Sequence, residues 1–147
     1  QHVIQLMEDA LKQENKMVDN LKIALMGVAY KADCDDTRNT PTERIVRALK
    51  KRYHSHNIQY IAHDPWVREK DYNATELTEN LKEAVAGADV LVFATNHKEY
   101  YDLDLEDLKI KVRTPIIIDG RNIFDRSKLN SLGFIYRKVG EGSSIPF

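Results

Sequence analysis

An α/β/α sandwich built on a parallel sheet is the fold class that this chain predicts, on three observations. Five short runs are apolar almost throughout: "KIALMGV" (22–28), "IQYIAH" (58–63), "DVLVFAT" (89–95), "PIIIDG" (115–120) and "GFIYRKV" (133–139). Each is separated from the next by a segment of helical or turn-rich composition. The 147 residues suffice for one compact core and leave little for a second. Strands that are apolar on both faces are buried on both faces, and strand–helix alternation with right-handed crossovers makes them parallel, with helices covering each side.

Taken in order, Val3, Ile4, Met7, Leu11, Val18 and Leu21 recur at roughly helical spacing over a stretch without Gly or Pro, so residues 2–20 read as one exposed amphipathic helix. The first strand then runs into a polar loop, "YKADCDDTRN" (30–39). That loop ends on "TPTE", where Thr40 can cap a helix, Pro41 suits its first turn and Glu43 can complete a capping box. The helix closes on "LKKRYHSH" (49–56), whose cations complement the negative end of its dipole. The other four strands follow, each after a helical or turn-rich segment, and "GEGSSIPF" (140–147) reads as a loose tail. The sum is a Rossmann-like sandwich of about five parallel strands over residues 21–140, preceded by a long helix over 1–20 and followed by a flexible tail over 141–147.

Composition narrows the partners. A net charge of −1 gives no general attraction to nucleic acid or anionic membrane. The short basic run lacks interleaved stacking aromatics, so no nucleic acid is expected. One cysteine, Cys34, excludes an intrachain disulfide framework and suits a reducing compartment, and no apolar run is long enough for a membrane-spanning helix, so a cytoplasmic location is expected. The chain opens on Gln1 inside a helical pattern, as a piece of a longer protein would. His54, His56 and His63 lack further ligands at metal-binding spacing, and no metal is expected.

A parallel sheet of this kind offers ligands the carboxyl ends of its strands. Polar residues collect there: Tyr30 and Lys31 with the acidic loop, "HDPW" (63–66), "TNHKEYY" (95–101) and "DGRN" (119–122). A dinucleotide fingerprint needs three glycines, whereas here only Gly27 is present, with Ala29 and Ala32 at the other two places and Asp64 too far along for the usual acidic partner. Lys31 at the start of the loop and a capped helix amino terminus at its end instead have the means to bind an anion such as phosphate. Asp35 and Asp36 read as loop-ordering partners of Arg38. Cys34, in acidic surroundings that raise a thiol pKa, is not expected to be a nucleophile.

The combination of "GVAYKADCDDTRNTP", "HDP", "ADVLVFATNHKEY" and "IIDGRN", in this order and spacing, resembles the carboxyl-terminal UDP-binding domain of the UDP-glucose/GDP-mannose dehydrogenase family over about residues 15–140. The resemblance implies a domain that closes over the UDP half of a nucleotide sugar, while a separate amino-terminal domain carries NAD and the catalytic cysteine. It matches Tyr30 and Lys31 to an aromatic–lysine pair that meets the substrate, Arg121 to the D-G-R arginine that reaches the substrate site, and Arg38 to an arginine that approaches the cofactor. It implies oxidation of a sugar C6 alcohol to a uronic acid with two NAD, a homodimeric full-length enzyme whose linking helix ends in residues 1–20, and no turnover by this chain alone. The "TNHKEY" segment, with His97 where UDP-glucose enzymes usually carry tryptophan, resembles the branch acting on UDP-N-acetylhexosamines. A free-standing nucleotide-binding regulatory domain is the alternative of another class; its receiver form needs an aspartate where the third strand ends in Thr95.

Overall fold

A computed structural model describes residues 2–29, 40–67, 71–72 and 75–140. Seven strands form one sheet: β1 (Leu21–Met26), β2 (Ile58–His63), β3 (Asp71–Tyr72), β4 (Thr75–Thr78), β5 (Val90–Phe93), β6 (Ile116–Asp119) and β7 (Ile135–Lys138), in spatial order β3-β4-β2-β1-β5-β6-β7. All neighbours pair in parallel except β3, which runs antiparallel to β4 at one edge. The five apolar runs are thus β1, β2, β5, β6 and β7. The two strands without an apolar run are the edge pair, and β4 buries only Thr75 and Leu77 while Glu76 stays exposed. An edge strand with one open face alternates with polar residues, which hides it from a search for strands buried on both sides.

Alternate residues of the central strands supply the two halves of the core. Ile23, Leu25, Val90, Val92, Ile116 and Ile118 face one side, covered by α1 (His2–Gln13) and α2 (Pro41–Arg52). Ala24, Met26, Leu91, Phe93 and Ile117 face the other, covered by α3 (Leu81–Val85), α4 (Lys98–Tyr101), α5 (Leu105–Lys111) and α6 (Arg126–Ser131). Helix α2 starts as its sequence dictates: Thr40 accepts a hydrogen bond from the Glu43 N–H, Pro41 stands in the first turn, and Lys50, Lys51 and Arg52 fill the last.

The first helix corrects two expectations. It ends at Gln13, not near residue 20, with Asn15 and Asn20 at φ 54° and 55° in the connection to β1. Its apolar stripe is also not left exposed: Val3, Ile4, Met7, Ala10 and Leu11 are buried against β6 and β7. Among the described residues no other helix covers the far end of that sheet face, so the amphipathic stripe serves the domain's own core. Polar contacts fix the docking, with Arg137 donating to Asp9 at 3.0 Å and to Gln13 at 2.6 Å, and Arg52 pairing with Glu8 at 3.0 Å.

At the amino ends of the strands, Asp89 is fully buried. It accepts from the Lys22 N–H (2.9 Å), Thr114 Oγ1 (2.7 Å) and the Arg113 guanidinium (2.8 and 2.5 Å). Burial alone would raise this carboxyl, but the bonds from Arg113 and Thr114 outweigh it and hold the pKa below its ordinary value. This network joins the starts of β1 and β6 and lies opposite the end where ligands are expected.

Candidate functional site

Connections change direction between β1 and β5, since β2 lies on one side of β1 and β5 on the other. In an open parallel sheet this switch point opens a crevice beyond the strand carboxyl ends. Gly27 leaves β1 there with φ +97°, and a Cβ on it would stand 2.6 Å from Thr95 Cβ and 3.1 Å from the Thr95 backbone nitrogen. Only glycine allows both that backbone and that approach. Gly27 donates its N–H to His63 O (2.7 Å) and accepts from Thr42 Oγ1 (2.6 Å).

The next two residues are gripped from both neighbouring strands. Asp64, at the end of β2, accepts from the N–H groups of Val28 (2.9 Å) and Ala29 (3.0 Å) through Oδ2, and from those of Trp66 (2.8 Å) and Val67 (3.2 Å) through Oδ1. His97 Nε2 lies 2.8 Å from the same Oδ2, with both side chains fully buried. From the end of β5, Thr95 Oγ1 donates to Ala29 O at 3.1 Å. Burial would push the Asp64 carboxyl up, yet the hydrogen bonds from His97, Val28 and Trp66 prevail and keep it below its ordinary value. Asp64 is therefore an ionised acceptor, and His97 Nε2 carries the shared proton.

Beneath this pair, the Tyr100 hydroxyl lies 2.9 Å from His63 Nδ1 and 3.2 Å from His63 O. The Tyr100 ring meets those of Phe93 and His97 edge-on. Desolvation lowers the His63 pKa from 6.5 to about 4, so the ring is neutral, and burial raises Tyr100 well above 10. His63 is thereby separated from His54 and His56, which are exposed before the start of β2. Among the described residues no group of three or more His, Cys, Asp and Glu is placed to hold a metal.

A second carboxylate shapes the end of β6. Asp119 is buried and accepts from the N–H groups of Arg121 (3.0 Å), Ile123 (2.8 Å) and Phe124 (3.0 Å) and from Tyr136 Oη (2.6 Å). The turn passes through Asn122 at φ 57° and leaves the Arg121 side chain half-exposed at the strand end. Of the residues expected to bind substrate or cofactor, Arg121 is the one the structure describes. Tyr30, Lys31, Cys34, Asp35, Asp36 and Arg38 lie outside the described residues, although the chain leads into them from Ala29 and out of them at Thr40. The buried hydrogen-bonding roles of Asp64, His97, Thr95 and Asp119 were not foreseen, although His97 stands out in the sequence as a mark of the UDP-N-acetylhexosamine branch. Their signal was present as polar residues ending apolar strands, but no spacing rule says which carboxylate will turn inward onto another loop's backbone.

The first two N–H groups of the β1 turn are not free to face a phosphate. In a dinucleotide fold the backbone N–H groups of that turn face the pyrophosphate, whereas those of Val28 and Ala29 are already taken by the Asp64 carboxylate. Nor do the larger grooves among the described residues coincide with the strand carboxyl ends. One of about 410 Å³ lies at the amino ends, lined by Asn20, Lys22, Asn57, Gln59, Gly87 and Arg113. Its cations are engaged, Lys22 on Glu83 O and Ala86 O and Arg113 on Asp89. Another, of about 480 Å³, lies beside the end of α2, lined by Lys50, Tyr53, His54, His56, Ile58 and Tyr60.

Comparison with known sequences decides the family, because the sequence profile of the UDP-glucose/GDP-mannose dehydrogenase family, UDP binding domain, matches residues 24–126. The chain belongs to this family. A UDP-N-acetyl-D-mannosamine dehydrogenase of Pyrococcus horikoshii is 35% identical over 138 residues, covering 93% of this chain and 29% of the relative. A UDP-glucose 6-dehydrogenase of Pseudomonas aeruginosa is 32% identical over 127 residues, covering 80% and 27%. Among solved structures, the UDP-D-ManNAc dehydrogenase of Pyrococcus horikoshii superposes with TM-score 0.78 at 33% identity, over 96% of this chain and 30% of that one. An NDP-N-acetyl-D-galactosaminuronic acid dehydrogenase of Methanosarcina mazei Go1 gives 0.84 at 33%, over 95% and 28%. The chain thus spans less than a third of the length of these relatives and corresponds to the UDP-binding domain of UDP-sugar dehydrogenases. No helix among the described residues is long and apolar enough to cross a membrane.

Proposed function

We propose that this domain grips the UDP half of a UDP-sugar at the carboxyl ends of β1, β5 and β6, within an NAD-dependent dehydrogenase that oxidises the sugar's C6 alcohol to a uronic acid. The observation that carries the reading is the coincidence of the matched UDP-binding segment with the β1/β5 switch point, where Ala29 and Arg121 stand at strand ends. β5 alone separates β1 from β6, so the two strand ends are roughly 10 Å apart, a span that a pyrophosphate and its sugar can bridge. Lys31, two residues beyond Ala29 in sequence, is assigned to the pyrophosphate in this reading, and Tyr30 with it to the substrate. Arg121 serves the sugar end, and Arg38 approaches the cofactor. NAD is held mainly by another domain of the full-length enzyme, a homodimer, which also supplies the catalytic cysteine. The occupied N–H groups of Val28 and Ala29 accord with this division.

The sugar is an N-acetylhexosamine in this reading, supported by relatives named for N-acetylmannosamine and N-acetylgalactosaminuronic acid. His97, the residue that suggested this branch, is buried on Asp64 and so influences the sugar only through the loops it holds. Calorimetry of this chain against UDP, UDP-N-acetylglucosamine, UDP-glucose and NAD tests the proposal. Weak but measurable binding of the UDP compounds is expected, with no comparable binding of NAD and no NAD reduction. Lys31→Ala should weaken UDP by roughly ten- to a hundredfold, the equivalent of one hydrogen bond to a charged group. Arg121→Ala should act chiefly on the sugar-bearing ligands. Tighter binding of NAD than of UDP, or turnover by this chain, would overturn the assignment.

A further inference from the structure

Neither the family nor the relatives' names give a role to the buried cluster at the switch point. We infer that Asp64, His97 and Thr95 are positioning residues for UDP-sugar binding: they hold the backbone of Gly27, Val28 and Ala29 where the chain leaves β1. The inference rests on the UDP-binding reading and deepens it.

Both backbone polar groups of Ala29, the last described residue before Tyr30, are fixed by side chains from different strands. Its N–H goes to Asp64 at the end of β2, and its carbonyl receives Thr95 Oγ1 from the end of β5. Val28 N–H joins the same carboxylate oxygen. Gly27 completes the seat, because its bare Cα lies against Thr95 where a Cβ would overlap. Three consecutive residues are therefore held from the two strands that flank β1, immediately before the residues assigned to the ligand.

His97 then decides how Asp64 holds them. Oδ2 accepts three N–H groups, from Val28, Ala29 and His97, and Oδ1 accepts two from its own turn, so the carboxylate is fully engaged with its plane set. The imidazole is fixed in turn by its edge-on contact with Tyr100. Without the His97 donor, the buried carboxylate loses one of the three N–H groups on Oδ2, and its grip on Val28 and Ala29 shifts. Small displacements of a backbone that borders a binding site cost affinity, because contacts with a ligand depend on position to within about an ångström. The exit from β1 at Val28 and Ala29 is thereby coupled to His97, in the segment that follows β5.

The test compares His97→Phe, which keeps an aromatic ring and removes the donor, with His97→Gln, whose amide nitrogen reaches about as far as Nε2. UDP affinity of the wild-type chain is measured first, because its failure to bind UDP would refute the UDP-binding reading itself. Given wild-type binding, His97→Phe should remain folded by circular dichroism and lose about tenfold in UDP affinity. His97→Gln should recover to within about threefold of wild type. A merely structural role would lower the unfolding midpoint without this pattern of loss and rescue. A folded His97→Phe chain that binds UDP as tightly as wild type, or a folded His97→Gln chain no better than His97→Phe, would overturn the inference. Should His97→Phe not fold, Thr95→Val and Thr95→Ser are read identically: loss with Val and recovery with Ser support it, and equal affinities refute it.

Discussion

Acid should weaken this domain well before its carboxylates titrate, because of one buried imidazole. His63 is fully buried at the end of β2, and desolvation lowers its pKa from 6.5 to about 4. Between those values the unfolded chain takes up a proton that the folded chain refuses. The stability due to the neutral ring is therefore complete above pH 6.5 and is lost as pH falls toward 4. The full difference corresponds to about 3 kcal/mol, of which about 2 kcal/mol should disappear between pH 7.5 and pH 5. Asp64, Asp89 and Glu8, whose pKa values are lowered, contribute stability that is lost chiefly as pH falls through and below their ordinary values of 3.8 to 4.5. Urea unfolding at the two pH values measures the loss, and His63→Gln should flatten it whatever that substitution costs at pH 7.5. Equal stability of the wild type at pH 7.5 and pH 5, or an undiminished loss in His63→Gln, would refute the reasoning.

Two further outcomes follow from packing. Gly27→Ala combines a left-handed backbone with a Cβ 2.6 Å from Thr95 Cβ; about 2–5 kcal/mol should be lost in urea unfolding, together with UDP affinity. Met7→Ala should cost about 2–5 kcal/mol, as for a core methionine, since Met7 is 0% exposed; a cost near zero would mean that α1 is not docked on β6 and β7.

Most of the fold was legible because the sheet interior speaks through hydrophobicity alone. Every one of the five apolar runs is a strand, and the Thr40–Pro41–Glu43 start of α2 stands where capping chemistry puts it. What hid was whatever depends on a partner surface. The stripe of Val3, Ile4, Met7 and Leu11 announces an amphipathic helix but not which apolar face receives it, and β4 alternates like a loop because it lies near an edge. Of the candidate site, only the part outside Tyr30, Lys31 and Arg38 can be compared with the sequence reading. Gly27, Asp64, Thr95 and Arg121 all fall at strand carboxyl ends, as a parallel sheet requires. That Asp64 turns inward onto Val28 and Ala29, with His97 behind it, could not be read from residues 33 positions apart in sequence, because only the fold makes them neighbours.

The central claim, that UDP sits beyond the carboxyl ends of β1, β5 and β6, is tested most directly by titrating UDP into the isotope-labelled chain and following its backbone amide resonances. The account predicts the largest shifts at Gly27, Ala29, Thr95, Gly120 and Arg121. Shifts gathered instead on Asn20, Gln59, Gly87 and Arg113, around the groove at the opposite end of the sheet, would contradict it.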